Sequence, residues 1–277
     1  MEQNTSVMPA ALHPRGPHRP RLEATAPVPI LEARQGGIAE WLESVVYRGY
    51  PFAASYVISN LLSFVVIGIA ILSGWFVTRT LLPMGGLERL DERSPEWFAT
   101  HRTPFWNDVT NYTSQVGATV LIVAVLVTSL VFAYRRRWRV AGFLLTAIVV
   151  EVTTYRVIAG VVGRERPDVH RLDHLNPNHS FPSGHTAASI AVYGGFTLLL
   201  TSRFHNTWLR ISLWTIALAI VSAVGASRLY RGDHHPSDLI AGAILGSGAL
   251  LVAVLATRAG IVASERRPPW NPDGDRE

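Results

Sequence analysis

Long apolar runs, bounded by charged residues, dominate the chain after its first 48 residues. Between Arg48 and Arg79 lie 30 uncharged residues, and between Asp108 and Arg135 lie 26. A helix needs about 20 mainly apolar residues to cross a bilayer, so these runs predict transmembrane helices. The pattern therefore predicts an all-α integral membrane bundle with short interfacial helices. Its six predicted transmembrane helices cover residues 53–78, 117–134, 140–162, 186–203, 209–228 and 237–257.

Two segments outside these spans have amphipathic patterns. Apolar residues recur at helical spacing from Ile38 to Val46, which predicts a short helix lying on the membrane surface. A second such element is predicted between Leu87 and Ala99.

The ends of the chain have a different composition from its centre. The first 36 residues are rich in Pro, Ala and Arg and lack periodicity, which predicts a flexible tail. We divide the chain into a tail over 1–50 that ends in the amphipathic helix, a six-span domain over 51–258 and a C-terminal tail over 259–277.

The composition agrees with membrane embedding and excludes several chemistries. Hydrophobic residues make up 48% of the chain and charged residues 16%, against about a quarter charged in soluble domains. The chain has no cysteine, and all 25 basic residues are arginine. Disulfides, thiolate nucleophiles, Schiff-base lysines and P-loop lysines are therefore excluded, whereas arginine remains available to bind phosphate.

The arginines also predict the orientation of the chain. Positive residues accumulate on the cytoplasmic side of membrane proteins, and the short 134–139 turn carries four arginines and no acid. The N-terminal tail and the C-terminal tail are basic as well. We therefore predict a multi-pass protein of the cell membrane with both termini in the cytoplasm. Its outer loops are 79–116, 163–185 and 229–236.

Two of these outer loops hold most of the polar residues suited to catalysis. Arg164, Arg166 and Arg228 lie where predicted spans meet the loops, and guanidinium groups bind phosphate oxygens through paired, charge-assisted hydrogen bonds. Ser183 and Gly184 open the fourth span, where backbone N–H groups of a helix N-terminus favour an anion. The loops therefore predict a phosphate site.

Histidines in the same loops predict the reaction. His234 and Asp238 are four residues apart, so the carboxylate is expected to hold one imidazole nitrogen and leave the other free to attack. His185 is then placed to protonate a leaving oxygen. Together these residues predict phosphoryl transfer through a phosphohistidine, with no metal and no cofactor required.

The same residues resemble the type-2 phosphatidic acid phosphatase and haloperoxidase superfamily, in its membrane lipid phosphatase branch. The resemblance covers about residues 117–257 and rests on two motifs, within a motif core over 156–238. The first motif is Pro182-Ser183-Gly184-His185, and the second is Ser227-Arg228, five residues, His234, three residues and Asp238.

The resemblance implies a role for each of these residues. His234 would be the nucleophile, Asp238 its orienting partner and His185 the general acid. Arg166, Arg228, Ser183 and Gly184 would hold the phosphoryl oxygens. A third family motif differs here, because Ala159 stands where the family usually has lysine. Arg156 or Arg164 would have to supply the missing charge, and a bound vanadate cofactor is disfavoured.

The predicted function is hydrolysis of a lipid phosphate or diphosphate, such as phosphatidic acid, phosphatidylglycerol phosphate or a polyprenyl diphosphate. The expected partners are the lipid substrate and the bilayer, without nucleic acid. Two alternatives keep the fold: a non-catalytic lipid-phosphate binder and a lipid phosphotransferase. A third is a metal-dependent hydrolase, whose ligands would come from an acidic and histidine-rich part of one loop: Asp168, His170, Asp173, His174 and His179.

Overall fold

A computed structural model describes residues 28–46, 51–84, 86–117 and 119–266 of the 277-residue chain. Within these ranges the regular structure is helical and contains no strand, as the apolar pattern predicts. The helices are α1 (Ile38–Val46), α2 (Pro51–Phe76), α3 (Leu87–Thr100), α4 (Pro104–Val116), α5 (Thr119–Tyr134), α6 (Trp138–Val162), α7 (Gly184–Ser189), α8 (Gly195–Thr201), α9 (Thr207–Tyr230) and α10 (Pro236–Arg266).

Five helical segments in the described ranges are long and apolar enough to cross a membrane. They are Ala53–Met84, Pro104–Tyr134, Trp138–Val162, Thr207–Tyr230 and Pro236–Arg266. Large apolar side chains such as Phe64, Leu130 and Ile244 remain exposed on their outer faces. A bilayer accommodates such surfaces, whereas water disfavours them. The chain is therefore a multi-pass helical membrane protein.

The predicted fourth span has a different form from the other five. It coincides with α7, a π turn over Ile190–Gly194 and α8, which follow one another from Gly184 to Thr201. This segment is not among the five long apolar helices. The exact number of six spans therefore stays a prediction.

Both predicted amphipathic elements form helices. α1 covers the stretch predicted from Ile38, and α3 matches the second element. Arg266, at the end of α10, connects this helix to α1 through ion pairs with Glu40 and Glu43, each with an N–O distance of 2.5 Å.

Ordered structure continues past the predicted domain boundaries at both ends, and the domain division stays a prediction. α10 continues to Arg266, well past the predicted end of the domain at 258, because Ala259 and Ile261 are buried. Near the N-terminus, Leu31 is buried in the main hydrophobic core although it was assigned to the flexible tail. Residues 1–27 of that tail lie outside the described residues.

α10 is the central helix of the bundle and packs against α2, α6 and α7. Two glycines allow α7 to approach it closely. A Cβ atom on Gly242 would lie 2.4 Å from the Ser183 carbonyl oxygen, and one on Gly246 would lie 2.4 Å from the Ala187 carbonyl oxygen. This close approach brings the start of α7 next to the start of α10.

We expect Gly242→Ala to destabilise the bundle by about 1–3 kcal/mol, because the added methyl group collides with rigid backbone. Thermal unfolding of the purified protein in detergent measures this effect. Gly248→Ala is the matched control on the same helix, since its Cβ would meet Val66 at an ordinary 3.4 Å. Equal melting temperatures for the two variants would contradict the proposed role of Gly242 in packing.

Candidate active site

His234 lies in the short loop between α9 and α10 and is almost fully buried. Its Nδ1 atom is 2.7 Å from the backbone carbonyl oxygen of Ser180. A carbonyl oxygen only accepts hydrogen bonds, so Nδ1 carries the proton and Nε2 keeps its lone pair. The Nε2 atom lies 3.5 Å from Nη1 of Arg166. The imidazole is therefore held in the tautomer that leaves Nε2 available as a nucleophile.

The structure corrects the expected contact between His234 and Asp238. The Asp238 Oδ2 atom is 3.6 Å from His234 Nδ1, which exceeds hydrogen-bond distance. Instead, Oδ2 accepts hydrogen bonds from the Ser180 hydroxyl at 2.5 Å and from the His235 backbone N–H at 2.8 Å.

The start of α10 explains this difference. α10 begins at Pro236, so Asp238 is its third residue and His235 precedes the helix. A carboxylate at this third position commonly reaches back to the N–H group before the helix, as in a capping box. Asp238 therefore fixes His234 indirectly, by holding the Ser180 segment whose carbonyl orients the imidazole.

Arg166 faces His234 with its charge uncompensated by a carboxylate. Three backbone carbonyl groups fix its guanidinium: those of Asn176 at 2.8 Å, Asp233 at 2.5 Å and His179 at 2.9 Å. No ion pair in the described part of the chain involves Arg166. Its position suits the binding of an anion next to Nε2 of His234.

Arg228 is also in the cluster, but acidic residues surround it. Its side chain is 1% exposed and contacts Asp173 Oδ2 at 2.8 Å and Asp233 Oδ2 at 2.7 Å. It also donates a short hydrogen bond to the Ser114 hydroxyl. Asp173 binds a second arginine, because Arg231 contacts both of its carboxylate oxygens at 2.9 and 2.5 Å.

Arg164 has a different environment from the one expected of a phosphate ligand. Its Nη1 atom donates to Asp238 and to the Ser237 hydroxyl, at 2.6 and 2.7 Å, and its Nη2 atom donates to Asp91 at 2.6 Å. The guanidinium thus neutralises Asp238 and connects the start of α10 to α3. Its predicted contact with phosphate stays a prediction.

Ser183 and Gly184 begin the helix that carries His185. The Ser183 hydroxyl oxygen accepts hydrogen bonds from the backbone N–H and the hydroxyl of Thr186, and so caps α7. A Cβ atom on Gly184 would lie 3.0 Å from the Tyr155 ring, so this position favours glycine. His185 follows in the first turn of α7, within electrostatic range of His234, Arg166 and Arg228.

Neither Arg156 nor Arg164 fills the position of the missing family lysine in the described part of the chain. Ala159 is buried in α6, and Arg156, one turn earlier, is exposed on the outside of the bundle. Arg164, the other candidate, is held by the two carboxylates of Asp91 and Asp238. The site therefore has one positive charge fewer than the family pattern.

The proposed metal ligands do not form a cluster. Among the described residues, no three acidic or histidine side chains lie close enough together to hold a metal ion. Asp173, a member of the proposed set, binds Arg228 and Arg231 instead.

Sequence reasoning did not identify two residues that shape the site, Ser180 and Asp91, and it considered Asp173 only as a metal ligand. Ser180 orients His234, Asp91 binds both Arg164 and Ser237, and Asp173 binds Arg228. Asp91 lies in the predicted interfacial element far from the motifs, and nothing in its spacing indicates this contact.

The fold and the site together define a multi-pass helical membrane protein with a buried cluster of histidines, arginines and acids. A family model described as the PAP2 superfamily matches residues 140–260. Phosphatidylglycerophosphatase B of Bacillus subtilis is 30% identical over 151 residues, which cover 52% of this chain and 72% of that protein. The chain belongs to the PAP2 superfamily, which confirms the resemblance carried by its motifs.

Two further similarities extend this comparison. The chain is 32% identical to undecaprenyl-diphosphatase of Sulfolobus acidocaldarius over 126 residues, which cover 44% of this chain and 57% of that relative. The crystal structure of a transmembrane PAP2-type phosphatidylglycerolphosphate phosphatase from Bacillus subtilis superposes with a TM-score of 0.57 and 25% identity. This superposition covers 68% of the present chain and 92% of the solved one.

Proposed function

We propose that the protein is a membrane phosphatase that hydrolyses a lipid phosphate or diphosphate through a phosphohistidine intermediate on His234. The observation that carries this proposal is the environment of the His234 ring. Nδ1 is 2.7 Å from the Ser180 carbonyl, and Nε2 faces the charge of Arg166. A neutral imidazole with its free lone pair next to an anion-binding cation suits attack on a phosphoryl group.

In the first half of the reaction, Nε2 of His234 attacks the phosphorus atom and the bond from phosphorus to the lipid oxygen breaks. Arg166 and Arg228 stabilise the negative charge on the phosphoryl oxygens. Burial and the nearby Arg228 lower the pKa of His185, so the anionic substrate must favour the protonated imidazole, which then donates its proton to the departing lipid oxygen. This half leaves a neutral lipid alcohol, or a lipid monophosphate from a diphosphate, together with phosphohistidine.

In the second half, a water molecule attacks phosphorus and the bond from phosphorus to Nε2 breaks. His185, now neutral, accepts the proton from the water, and inorganic phosphate leaves. If a lipid or sugar hydroxyl replaced water, the same chemistry would make the protein a phosphotransferase. No residue in the described site favours that second acceptor over water.

The substrate class rests on the membrane-embedded fold and on the relatives. Those relatives bear the names undecaprenyl-diphosphatase and phosphatidylglycerophosphatase B. The long apolar helices would place the acyl or prenyl chains of such a substrate in the same bilayer as the protein. We propose that phosphatidic acid, phosphatidylglycerol phosphate and a polyprenyl diphosphate are the three substrates to compare.

We further propose that both termini are cytoplasmic and that the site opens to the outer face of the cell membrane. The arginine-rich 134–139 turn supports this orientation. His185 and His234 lie at the ends of helices opposite to that turn, as the alternation of the spans requires.

Phosphate release by the detergent-purified protein from these three lipids tests the proposed function. We expect release from at least one lipid, inhibition by vanadate and no loss of activity in a metal chelator. His174→Ala is a matched control, because His174 is an exposed histidine of the neighbouring loop. Absence of release from all three lipids would contradict the phosphatase assignment and favour a lipid-phosphate binder.

The pH dependence of the reaction follows from the burial of His234. Burial lowers the pKa of this imidazole to about 4, against the opposing effect of Asp238. The neutral nucleophile is therefore present at neutral pH, and the acidic limb of kcat/KM that arises from His234 is expected as the pH drops through about 4. An acidic limb near the ordinary histidine pKa of about 6.5 would contradict this account.

The same pKa shift predicts how stability depends on pH. Unfolded histidine binds a proton below about pH 6.5, whereas folded His234 resists protonation until about pH 4. The unfolded state thus holds more protons in this window, and the His234 contribution to stability falls as the pH decreases through it. Melting temperatures over the same pH range separate this effect from loss of the nucleophile.

A further inference from the structure

Asp173 contacts two arginines of the buried cluster around His234, and one of them is a proposed phosphate ligand. It contacts Arg228 at 2.8 Å and Arg231 at 2.5 Å, and it lies within electrostatic range of His185. Arg228 is one of the two arginines to which we assign phosphate binding. A carboxylate presents two oxygens to a guanidinium much as a phosphate does. The Asp173 carboxylate and the substrate phosphoryl group can therefore both bind the Arg228 guanidinium.

Arg228 already has acidic partners in the structure. Asp173 contacts both Arg228 and Arg231, and Asp233 contacts Arg228, although burial raises the pKa of Asp233 to about 7. The family lysine that would add another positive charge is replaced by the buried Ala159. A phosphate that binds Arg228 thus meets an arginine that already has an acidic partner.

Of the two acids, Asp173 is the one able to leave. The Asp233 side chain is fully buried between α9 and α10, whereas the Asp173 side chain is 23% exposed. Asp173 also belongs to the irregular 163–183 loop, not to a helix. Arg231 holds both oxygens of Asp173, so the carboxylate keeps a partner when it separates from Arg228.

We propose that Asp173 competes with the substrate phosphate for Arg228 and so sets the affinity of the site for phosphate. The carboxylate moves off Arg228 when the phosphoryl group arrives and returns when inorganic phosphate departs. This competition weakens the binding of substrate and product alike and speeds product release. The inference rests on the proposed phosphatase function, and it assigns to Asp173 a role in affinity without a part in bond breaking.

The first test measures vanadate inhibition of phosphate release by Asp173→Asn protein and by the wild type. Asparagine retains the size of the side chain but removes the negative charge, so we expect vanadate to bind about tenfold more tightly. KM should fall, and kcat should fall with it when product release limits turnover. A purely structural role of Asp173 would weaken vanadate binding instead.

Asp168→Asn is the matched control for the variant. Asp168 is an exposed acid of the same loop, and among the described residues it makes no ion pair. The two variants change the net charge equally, so a general charge effect would lower the inhibition constant in both. An inhibition constant that is unchanged or higher in Asp173→Asn would overturn the proposal.

A structure of the wild-type protein with vanadate tests the proposal without any variant. We expect a vanadate oxygen on Arg228 and the Asp173 carboxylate beyond hydrogen-bond distance from it. Vanadate bound while Asp173 still contacts Arg228 would overturn the competition. A wild-type protein that hydrolyses none of the three lipids would count against the proposed function, whereas an active enzyme with Asp173 unmoved would count against this inference alone.

Discussion

His234→Ala protein is expected to lose phosphate release by about 10⁴-fold or more, because the substitution removes the attacking atom itself. Nε2 of His234 lies 3.5 Å from Nη1 of Arg166 within a buried cluster. Initial rates of phosphate release from the preferred lipid measure the effect. The loss should appear in kcat, with the folded state retained.

His174→Ala serves as the control for this experiment. It removes an exposed histidine from the 163–183 loop, and we expect its rate to match that of the wild type. Size-exclusion profiles and melting temperatures verify that both variants fold. Phosphate release by folded His234→Ala at more than a tenth of the wild-type rate would exclude this residue as the nucleophile.

Asp238→Asn is expected to reduce kcat by about 10³-fold, as removal of an orienting carboxylate does in other histidine-dependent sites. The carboxylate accepts hydrogen bonds from Ser180, His235 and Arg164, so its loss disorganises the support of His234. Removing one partner of a buried ion pair also destabilises the fold, by about 3 kcal/mol. Kinetic measurements and thermal unfolding test the two effects separately.

A double-mutant cycle tests the path by which Asp238 acts. Ser180→Ala removes the hydroxyl bound to Asp238 but retains the carbonyl bound to His234, so we expect a loss of about tenfold. If Asp238 acts through Ser180, the Ser180→Ala/Asp238→Asn protein loses little more than Asp238→Asn alone. Additive losses would indicate that Asp238 acts on His234 directly.

The sequence predicted the membrane fold well, because apolar length is a strong and local signal. α2, α6, α9 and α10 each correspond to a predicted span. The amphipathic pattern from Ile38 predicted α1 equally well. Boundaries were less accurate, since the end of α10 depends on burial against other helices and not on local composition.

The sequence also indicated the composition of the site, but it did not determine which groups pair. The motifs identified His234, Asp238 and Arg166 as candidate site residues, and these three residues lie close together in the structure. The four-residue spacing suggested a direct bond between His234 and Asp238, whereas the Ser180 carbonyl takes that place. A backbone carbonyl has no sequence signature, so the sequence did not predict that the Ser180 carbonyl would bind His234 Nδ1 in place of Asp238.

Charge pairing across the fold gives Arg164 two carboxylate partners that its motif does not predict. Arginine in a phosphate motif suggests a ligand, but Asp91 arrives from α3 and Asp238 from α10 to bind it. These partners are 73 and 74 residues away along the chain. Such long-range ion pairs depend on tertiary packing, which local patterns do not encode.

Covalent trapping tests the phosphohistidine mechanism most directly. Wild-type protein is mixed with a lipid carrying a radiolabelled phosphate, quenched rapidly in base and digested, because phosphohistidine survives base and is cleaved by acid. We predict acid-labile label on the peptide containing His234, and none in His234→Ala protein. Release of labelled phosphate with no label on this peptide at any quench time would contradict the mechanism.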